Sequence, residues 1–242
     1  MSLHPTGESL SVIFPAFQEE QYLATAVHDI VEGLVPRGID FEVIVVENGS
    51  RDRTLAVAQE LASSIPQVIA LSTGVADYGK ALREGLLSAR FTYVVNFDVD
   101  LYDLAFADRA VAKMSQPGGP SIVVGSKRSD DATDTRHWTR KVVTAVFSGL
   151  LRYGFGLRVS DTHGMKVLRR LDVVPLAQQC LFGTDLFDTE LVLRAERAGL
   201  RTDEIGVTVK ESRPARTPIV SRIVRSVRGL ARLRLALWRE AR

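Results

Sequence analysis

The sequence predicts an α/β fold in which a mostly parallel central sheet is flanked by helices. Through residues 10–125, short apolar runs alternate with segments of helical apolar spacing, the order that builds a parallel sheet through crossover helices. One run, Phe41–Val46, is apolar except for Glu42, as in a strand buried on both faces. Another, Tyr93–Phe97, opens directly onto Asp98-Val99-Asp100, and open α/β sheets bind ligands beyond the carboxyl ends of their strands.

In chain order, Leu10–Phe14 reads as a strand stopped by Pro15, and Glu19–Gly33 as a helix, with Leu23, Val27, Ile30, Val31 and Leu34 near helical spacing. After Phe41–Val46, Asn48-Gly49-Ser50 makes a turn and Asp52 helps to start a helix over Thr54–Ala62. A strand at Val68–Leu71, a helix at Gly79–Ser88, the strand ending in the aspartates, a helix at Leu104–Met114 and a strand at Ser121–Gly125 follow. Pro117-Gly118-Gly119-Pro120 is an inner loop, because strand patterning resumes at once. The second half is less regular: a polar loop from Ser126 to Arg136, a helix over His137–Leu151, the segment Asp161–Lys166 followed by Val167-Leu168-Arg169-Arg170, a helix from Phe187 to Ala198 ended by Gly199, and a last strand at Ile205–Val209.

The 242 residues carry 31 Lys plus Arg against 29 Asp plus Glu, so no global basic field points to nucleic acid. Cys180 is the only cysteine, which excludes an internal disulfide and fits a reducing compartment. Residues 1–9 lack the basic-then-apolar pattern of a secretory signal, and the longest uncharged run, Leu61–Ala76, is interrupted by Pro66 and Gly74. The expectation is a cytoplasmic protein, soluble or peripheral at a membrane.

Asp98 and Asp100 carry the clearest chemistry. Mg²⁺ or Mn²⁺ prefers hard carboxylate oxygens, keeps several waters and takes further ligands from substrate phosphates. Two acids at the end of a buried strand therefore suit a metal–phosphate site, although Asp is also common in plain turns.

Several segments resemble family 2 glycosyltransferases of the GT-A fold, in the branch of dolichyl-phosphate and polyprenyl-phosphate sugar synthases. They are Phe14-Pro15-Ala16-Phe17-Gln18-Glu19-Glu20, Val45–Thr54 with its Glu47-Asn48-Gly49-Ser50, Tyr78–Gly85, and Asp98-Val99-Asp100. Gly125-Ser126-Lys127-Arg128, Asp161–Lys166 and Phe187-Asp188-Thr189-Glu190 are similar to later motifs. The likeness runs from about Leu10 to Arg216 and implies a GT-A domain over 1–217. Within it, about 10–125 forms a nucleotide-sugar-binding half and 126–217 an acceptor-binding half.

The resemblance implies an inverting, metal-dependent transfer of a hexose from a UDP- or GDP-sugar to an acceptor, foremost a polyprenyl or dolichyl phosphate. Asp98 and Asp100 would hold the metal, and Pro15, Phe17, Glu19, Glu47, Gly79 and Arg213 would bind the donor. Glu47 stands where the family usually has Asp, and Tyr102 where some relatives complete the metal shell with Gln; Asp103 is a candidate substitute. Lys127, Arg128 and Arg213 match segments near the acceptor phosphate. A hydroxyl acceptor would instead need a base, for which Asp161, Asp188 and Glu190 are candidates. Asp188 and Glu190 equally suit the acidic first turn of a helix. Lys80 and Arg83 read as helix surface, and His4, His28, His137 and His163 show no ligand spacing.

The tail, Ile219–Arg242, places Val220, Ile223, Val224, Val227, Leu230, Ala231 and Trp238 on a stripe, with seven arginines around it. Such a helix over 218–242 could meet an anionic membrane, pack on its own domain or join a second copy in a homo-oligomer. Two other classes compete with the transferase reading. A nucleotidyltransferase would open with a glycine-rich loop that Phe14–Glu19 lacks, and a catalytically silent binding protein would fit if the departures from the motifs have disabled the chemistry.

Overall fold

The structure is a computed structural model that describes residues 9–126, 162, 164–184, 186–207 and 229–236. Its strands are β1 (Leu10–Ala16), β2 (Phe41–Glu47), β3 (Val68–Ser72), β4 (Tyr93–Asn96), β5 (Ile122–Ser126), β6 (Lys166–Arg169) and β7 (Thr202–Gly206). They form one seven-stranded sheet in the order β3-β2-β1-β4-β6-β5-β7. All neighbours pair parallel except β6, which runs antiparallel to both β4 and β5.

Strand side chains alternate between the two faces, and the core divides accordingly. Val12, Phe14, Val45, Val95 and Phe97 face one way with the buried residues of α1 (Leu23–Leu34) and α4 (Leu104–Met114). Ile13, Ile44, Val46 and Val94 face the other way with α3 (Tyr78–Ser88), α5 (Arg170–Gln179) and α6 (Phe187–Arg197). Helix α2 (Thr54–Ser64) adds Ala58 and Leu61 to the first face. The result is a three-layer α/β/α arrangement.

Several sequence boundaries move, each for a physical reason. Pro15 does not stop β1, which continues to Ala16. Ile13 O accepts from Phe97 N on the β4 side and Ala16 O from Asn48 N on the β2 side. Pro15 therefore turns its missing donor towards β4, whose last pairing is Ile13 with Asn96, so no ladder bond is lost. The last strand among the described residues is Thr202–Gly206, which starts earlier than the expected Ile205–Val209; residues 208–209 lie outside the described residues. It pairs with β5 alone at the sheet edge, where half-exposed Asp203 and Glu204 are tolerated. Helix α5 was not expected, because Pro175 sits inside it and only Val173 and Ala177 are buried. The expected helix His137–Leu151 lies outside the described residues.

Residues 229–236 are helical. Leu230 and Leu233 enter the second core face while Ala231 is exposed. Leu230, expected on a membrane-facing stripe, is thus committed to the domain, as hydrophobic burial favours wherever an apolar surface is already at hand. The rest of Ile219–Arg242 lies outside the described residues. Among the described residues no helix is long and apolar enough to cross a membrane.

Candidate functional site

The site is set by topology. The chain runs β1, β2, β3 outward on one side and returns to place β4 on the other side of β1, so the strand order reverses between β1 and β4 and the loops after β1, β2 and β4 meet at one carboxyl edge, where open α/β sheets bind ligands. A cleft of about 410 Å³ opens there, within the range of small-ligand sites. Pro15, Phe17 and Glu19 line it from the β1 end, Asn48 from the β2 end, and Asp98, Val99 and Asp100 from the β4 end. Ala76, Tyr78 and Thr184 complete it.

Loop-to-loop hydrogen bonds hold the first wall. Gln18 N donates to Ser50 Oγ (3.0 Å), Glu19 N to Thr54 Oγ1 (2.8 Å) and Arg53 N to Glu20 Oε2 (2.9 Å). Asp52 accepts from Thr54 N (3.0 Å) and Thr54 Oγ1 (2.5 Å), and from Glu20 N at 3.4 Å. Burial pushes the Asp52 carboxyl up, but the bonds from Thr54 and Glu20 outweigh it and leave the group below the ordinary carboxylate value. Gln18 (φ 55°) and Thr184 (φ 47°) are the two non-glycine residues with positive φ among the described residues. Each costs of order 1–3 kcal/mol, and both stand at the cleft rim. Gly49 (φ 76°) has the Val75–Ala76 backbone where a Cβ would stand, so a side chain there would separate the two loops.

The aspartates sit on a closed turn rather than an extended strand. Asp98 N donates to Leu101 O (3.2 Å) and Leu101 N to Asp98 O (2.9 Å). Buried Val99 pins the turn, while Asp98 is half-buried and Asp100 exposed. No group of three or more His, Cys, Asp or Glu side chains gathers among the described residues. Two hard oxygen donors on one cleft nonetheless suit Mg²⁺ or Mn²⁺, which takes one or two carboxylates and fills the rest of its shell with water and phosphate.

Other sequence candidates have structural work instead. Glu47 does not line the cleft: it is 3% exposed, its Oε1 accepts from Ser50 N and its Oε2 from Ser72 Oγ at 2.7 Å. Its neighbour Asn48 takes the cleft position, 5% exposed, with Oδ1 lacking a hydrogen-bond partner among the described residues. Gly79 serves packing rather than ligand approach, since a Cβ there would lie 2.7 Å from Gly183 C, Thr184 N and Phe187 Cβ. Asp103 is the N-cap of α4, accepting from Ala105 N at 2.8 Å, and is not among the residues that line the cleft. Tyr102 packs edge-on against Phe14 and donates to Asp29 Oδ2 at 2.6 Å. Burial and that bond push its phenol up to about 12. Arg83 donates to Gln178 O (2.8 Å), tying α3 to the end of α5, and Lys80 Nζ to Thr73 O (3.4 Å).

Asp188 and Glu190 are buried beneath the site. Glu190, 0% exposed, accepts from Leu181 N with both oxygens (3.0 Å each), from Phe182 N (2.9 Å) and from Arg194 Nε (2.8 Å). Asp188, 3% exposed, pairs with the fully buried Lys166 Nζ at 3.0 Å, which also donates to Gly164 O at 2.7 Å. Neither is among the residues that line the cleft; both are internal anchors, held by Lys166 and by Arg194 with the Leu181 and Phe182 amides. Lys127, Arg128, Arg213, Asp161 and His163 lie outside the described residues.

Tyr78 was not assigned a role from the sequence, although it opens the Tyr78–Gly85 segment that resembles the family. Its hydroxyl accepts from Asn96 Nδ2 (3.0 Å) and donates to Asp98 Oδ1 (3.5 Å). Burial, then the charges of Asp98 and Asp188, raise its pKa well above the ordinary tyrosine value, so the hydroxyl keeps its proton. Its prior signals were that resemblance and its place beside a helix start.

The family model for glycosyl transferase family 2 matches residues 11–174. The chain is 28% identical over 238 residues to glycosyltransferase AglD of Haloferax volcanii, covering 96% of this chain and 37% of that protein. It is 27% identical over 246 residues to dolichyl-phosphate beta-glucosyltransferase ALG5D of Trichomonas vaginalis, covering 95% and 75%. With the dolichyl-phosphate beta-glucosyltransferase of Drosophila melanogaster it shares 30% identity over 218 residues, covering 82% and 66%. Among solved structures, glucosyl-3-phosphoglycerate synthase from Mycobacterium tuberculosis, in complex with Mn²⁺, UDP and phosphoglyceric acid, superposes with a TM-score of 0.69 at 23% identity, covering 95% of this chain and 78% of that one. The fold is of the GT-A type.

Proposed function

Because the chain belongs to glycosyl transferase family 2, we propose that it moves a hexose from a nucleoside-diphosphate sugar, UDP- or GDP-linked, to a polyprenyl or dolichyl phosphate. One observation carries the reading: Asp98 and Asp100 share a switch-point cleft with Pro15, Phe17 and Glu19. The relatives named for dolichyl-phosphate glucosylation support the acceptor class.

Asp98 and Asp100 would hold Mg²⁺ or Mn²⁺, which when bound supplies Lewis-acid stabilisation of the departing nucleoside diphosphate. The Pro15–Glu19 loop, fixed to the Ser50–Thr54 loop, gives the nucleoside a rigid wall, and Asn48 Oδ1 takes a donor from the base or ribose. A phosphate oxygen of the acceptor attacks the anomeric carbon opposite the leaving group and inverts it. Such an acceptor is already an anion and needs no base, which agrees with the burial of Asp188 and Glu190. Lys127, Arg128 and Arg213 are assigned to hold the acceptor phosphate, on the resemblance of their segments.

A thermal-shift screen of nucleotide sugars with Mn²⁺, followed by transfer to polyprenyl phosphate, tests the reading. A true donor at a hundredfold excess over Kd stabilises the protein by about 2.7 kcal/mol, and a lipid-linked sugar forms only with a divalent cation. Undiminished transfer in excess chelator would refute metal dependence. Arg128→Ala should slow transfer far more than it weakens donor binding. A pH–rate profile governed by one acid, and abolished in Asp188→Asn, would replace the phosphate acceptor with a hydroxyl.

A further inference from the structure

We propose that Tyr78 is a positioning residue for Asp98: its hydroxyl, oriented by Asn96, sets the rotation of the carboxylate in the geometry that binds a divalent cation. The proposal rests on the reading of the cleft as a metal–diphosphate site.

Each partner in the relay has a fixed place. Asn96 ends β4 and is 1% exposed, and Phe97 between it and Asp98 is buried in the opposite core face. Tyr78 opens α3, whose N-cap Asp77 accepts from both Lys80 N (2.9 Å) and Thr184 N (2.6 Å). The bare Cα of Gly79 seats the same turn against Gly183 and Phe187.

The relay has a direction. The Asn96 amide donates to the Tyr78 oxygen at 3.0 Å and occupies an acceptor site of the hydroxyl. The phenolic hydrogen must then turn elsewhere, and Asp98 Oδ1 lies 3.5 Å away. That bond is long, and its contribution is orientation more than strength. A hydrogen bond to one carboxylate oxygen biases rotation about the Cβ–Cγ bond, the kind of outer contact whose loss weakens metal affinity about 10- to 100-fold. With a bond of this length the low end applies.

Tyr78→Phe removes the hydroxyl and keeps the ring. Mn²⁺ affinity would be read by electron paramagnetic resonance in the presence of saturating UDP or GDP, and nucleotide affinity by calorimetry in chelator. The expected result is a Kd for Mn²⁺ raised about tenfold, with metal-free nucleotide affinity near wild type and a melting temperature lowered only modestly, because buried Asn96 Nδ2 loses its acceptor. An unchanged Mn²⁺ Kd overturns the proposal, and so does an equal loss of nucleotide affinity without metal, which would make Tyr78 a wall of the cleft only. Wild-type protein that binds no Mn²⁺ with either nucleotide would remove the functional reading itself, a pattern distinct from a defect confined to the variant.

Discussion

Two acidic pairs in this chain have the same i, i+2 spacing and opposite fates. Asp98 and Asp100 stand on a turn beyond β4 and line the cleft, whereas Asp188 and Glu190 lie in the first turn of α6 and are almost wholly buried. The difference lies in what surrounds the backbone. The first pair follows the carboxyl end of the central strand β4, on a turn closed by the Asp98–Leu101 backbone bonds and pinned by buried Val99. The second is pressed against the end of β6 and the loop after α5, where Lys166, Arg194, Leu181 N and Phe182 N are all waiting for an acceptor. An acid near a site therefore tells little until its oxygens are accounted for.

The comparison breaks most readily at the buried pair. Asp188→Asn leaves the Lys166 ammonium buried without its counter-charge, and Glu190→Ala takes the acceptor from two backbone N–H groups and removes the Arg194 Nε contact. Each should cost about 3–5 kcal/mol of stability, as loss of one partner from a buried ion pair typically does, measured by denaturant unfolding. Retention of wild-type stability in both would mean that these acids are not anchors.

The open pair should behave inversely. Asp100→Asn, at an exposed position, should change stability by no more than about 0.5 kcal/mol. Turnover should fall about 10²- to 10³-fold, the scale of losing a preorganised charge contact at a leaving group. Steady-state kinetics beside a melting curve reads both quantities, and a stability loss without a turnover loss would reverse the assignment.

A smaller contrast concerns two capping aspartates. Asp77 accepts from Lys80 N and from Thr184 N across the cleft rim, while the Asp103 side chain, among the described residues, accepts from Ala105 N alone. An N-cap is worth about 0.5–2 kcal/mol, so Asp77→Ala should lie near the top of that range and Asp103→Ala near the bottom. Only Asp77→Ala should also weaken nucleotide binding, because Thr184 lines the cleft.

The smallest effect is a pH dependence. The Asp52 carboxyl is depressed in the folded protein, so its contribution is complete above the unfolded value of about 3.9 and fades as the pH falls through the lower folded value. The stability difference between wild type and Asp52→Asn should therefore be constant from pH 7 to about 5 and shrink in more acid solution. A difference that grows on acidification would contradict the bonds drawn to Thr54 and Glu20.

Much of the fold was legible in the sequence because the central strands are buried on both faces and are therefore mostly apolar. β2 and β4 were found within one residue of their ends, and α4 at both of its ends. Legibility fell where burial is one-sided or polar. β7 at the sheet edge carries Asp203 and Glu204, and α5 contains Pro175 and buries little. The antiparallel β6 begins with Lys166, an ammonium paired inside the protein.

Of the candidate site, the sequence by itself determined which segments meet: local patterning fixes strands and turns, and a parallel sheet brings the loops after β1, β2 and β4 to one edge. Patterning thereby singled out Asp98 and Asp100, and the family resemblance added Pro15, Phe17 and Glu19, all of which line the cleft. Only the tertiary structure decided which polar groups are spent and which face the cleft. Glu47, Asp188 and Glu190 bond to partners from 3 to 25 residues away, while Asn48 and Tyr78 turn towards the ligand space. Whether a polar group is satisfied depends on donors and acceptors brought close by folding, and one-dimensional spacing does not carry that information.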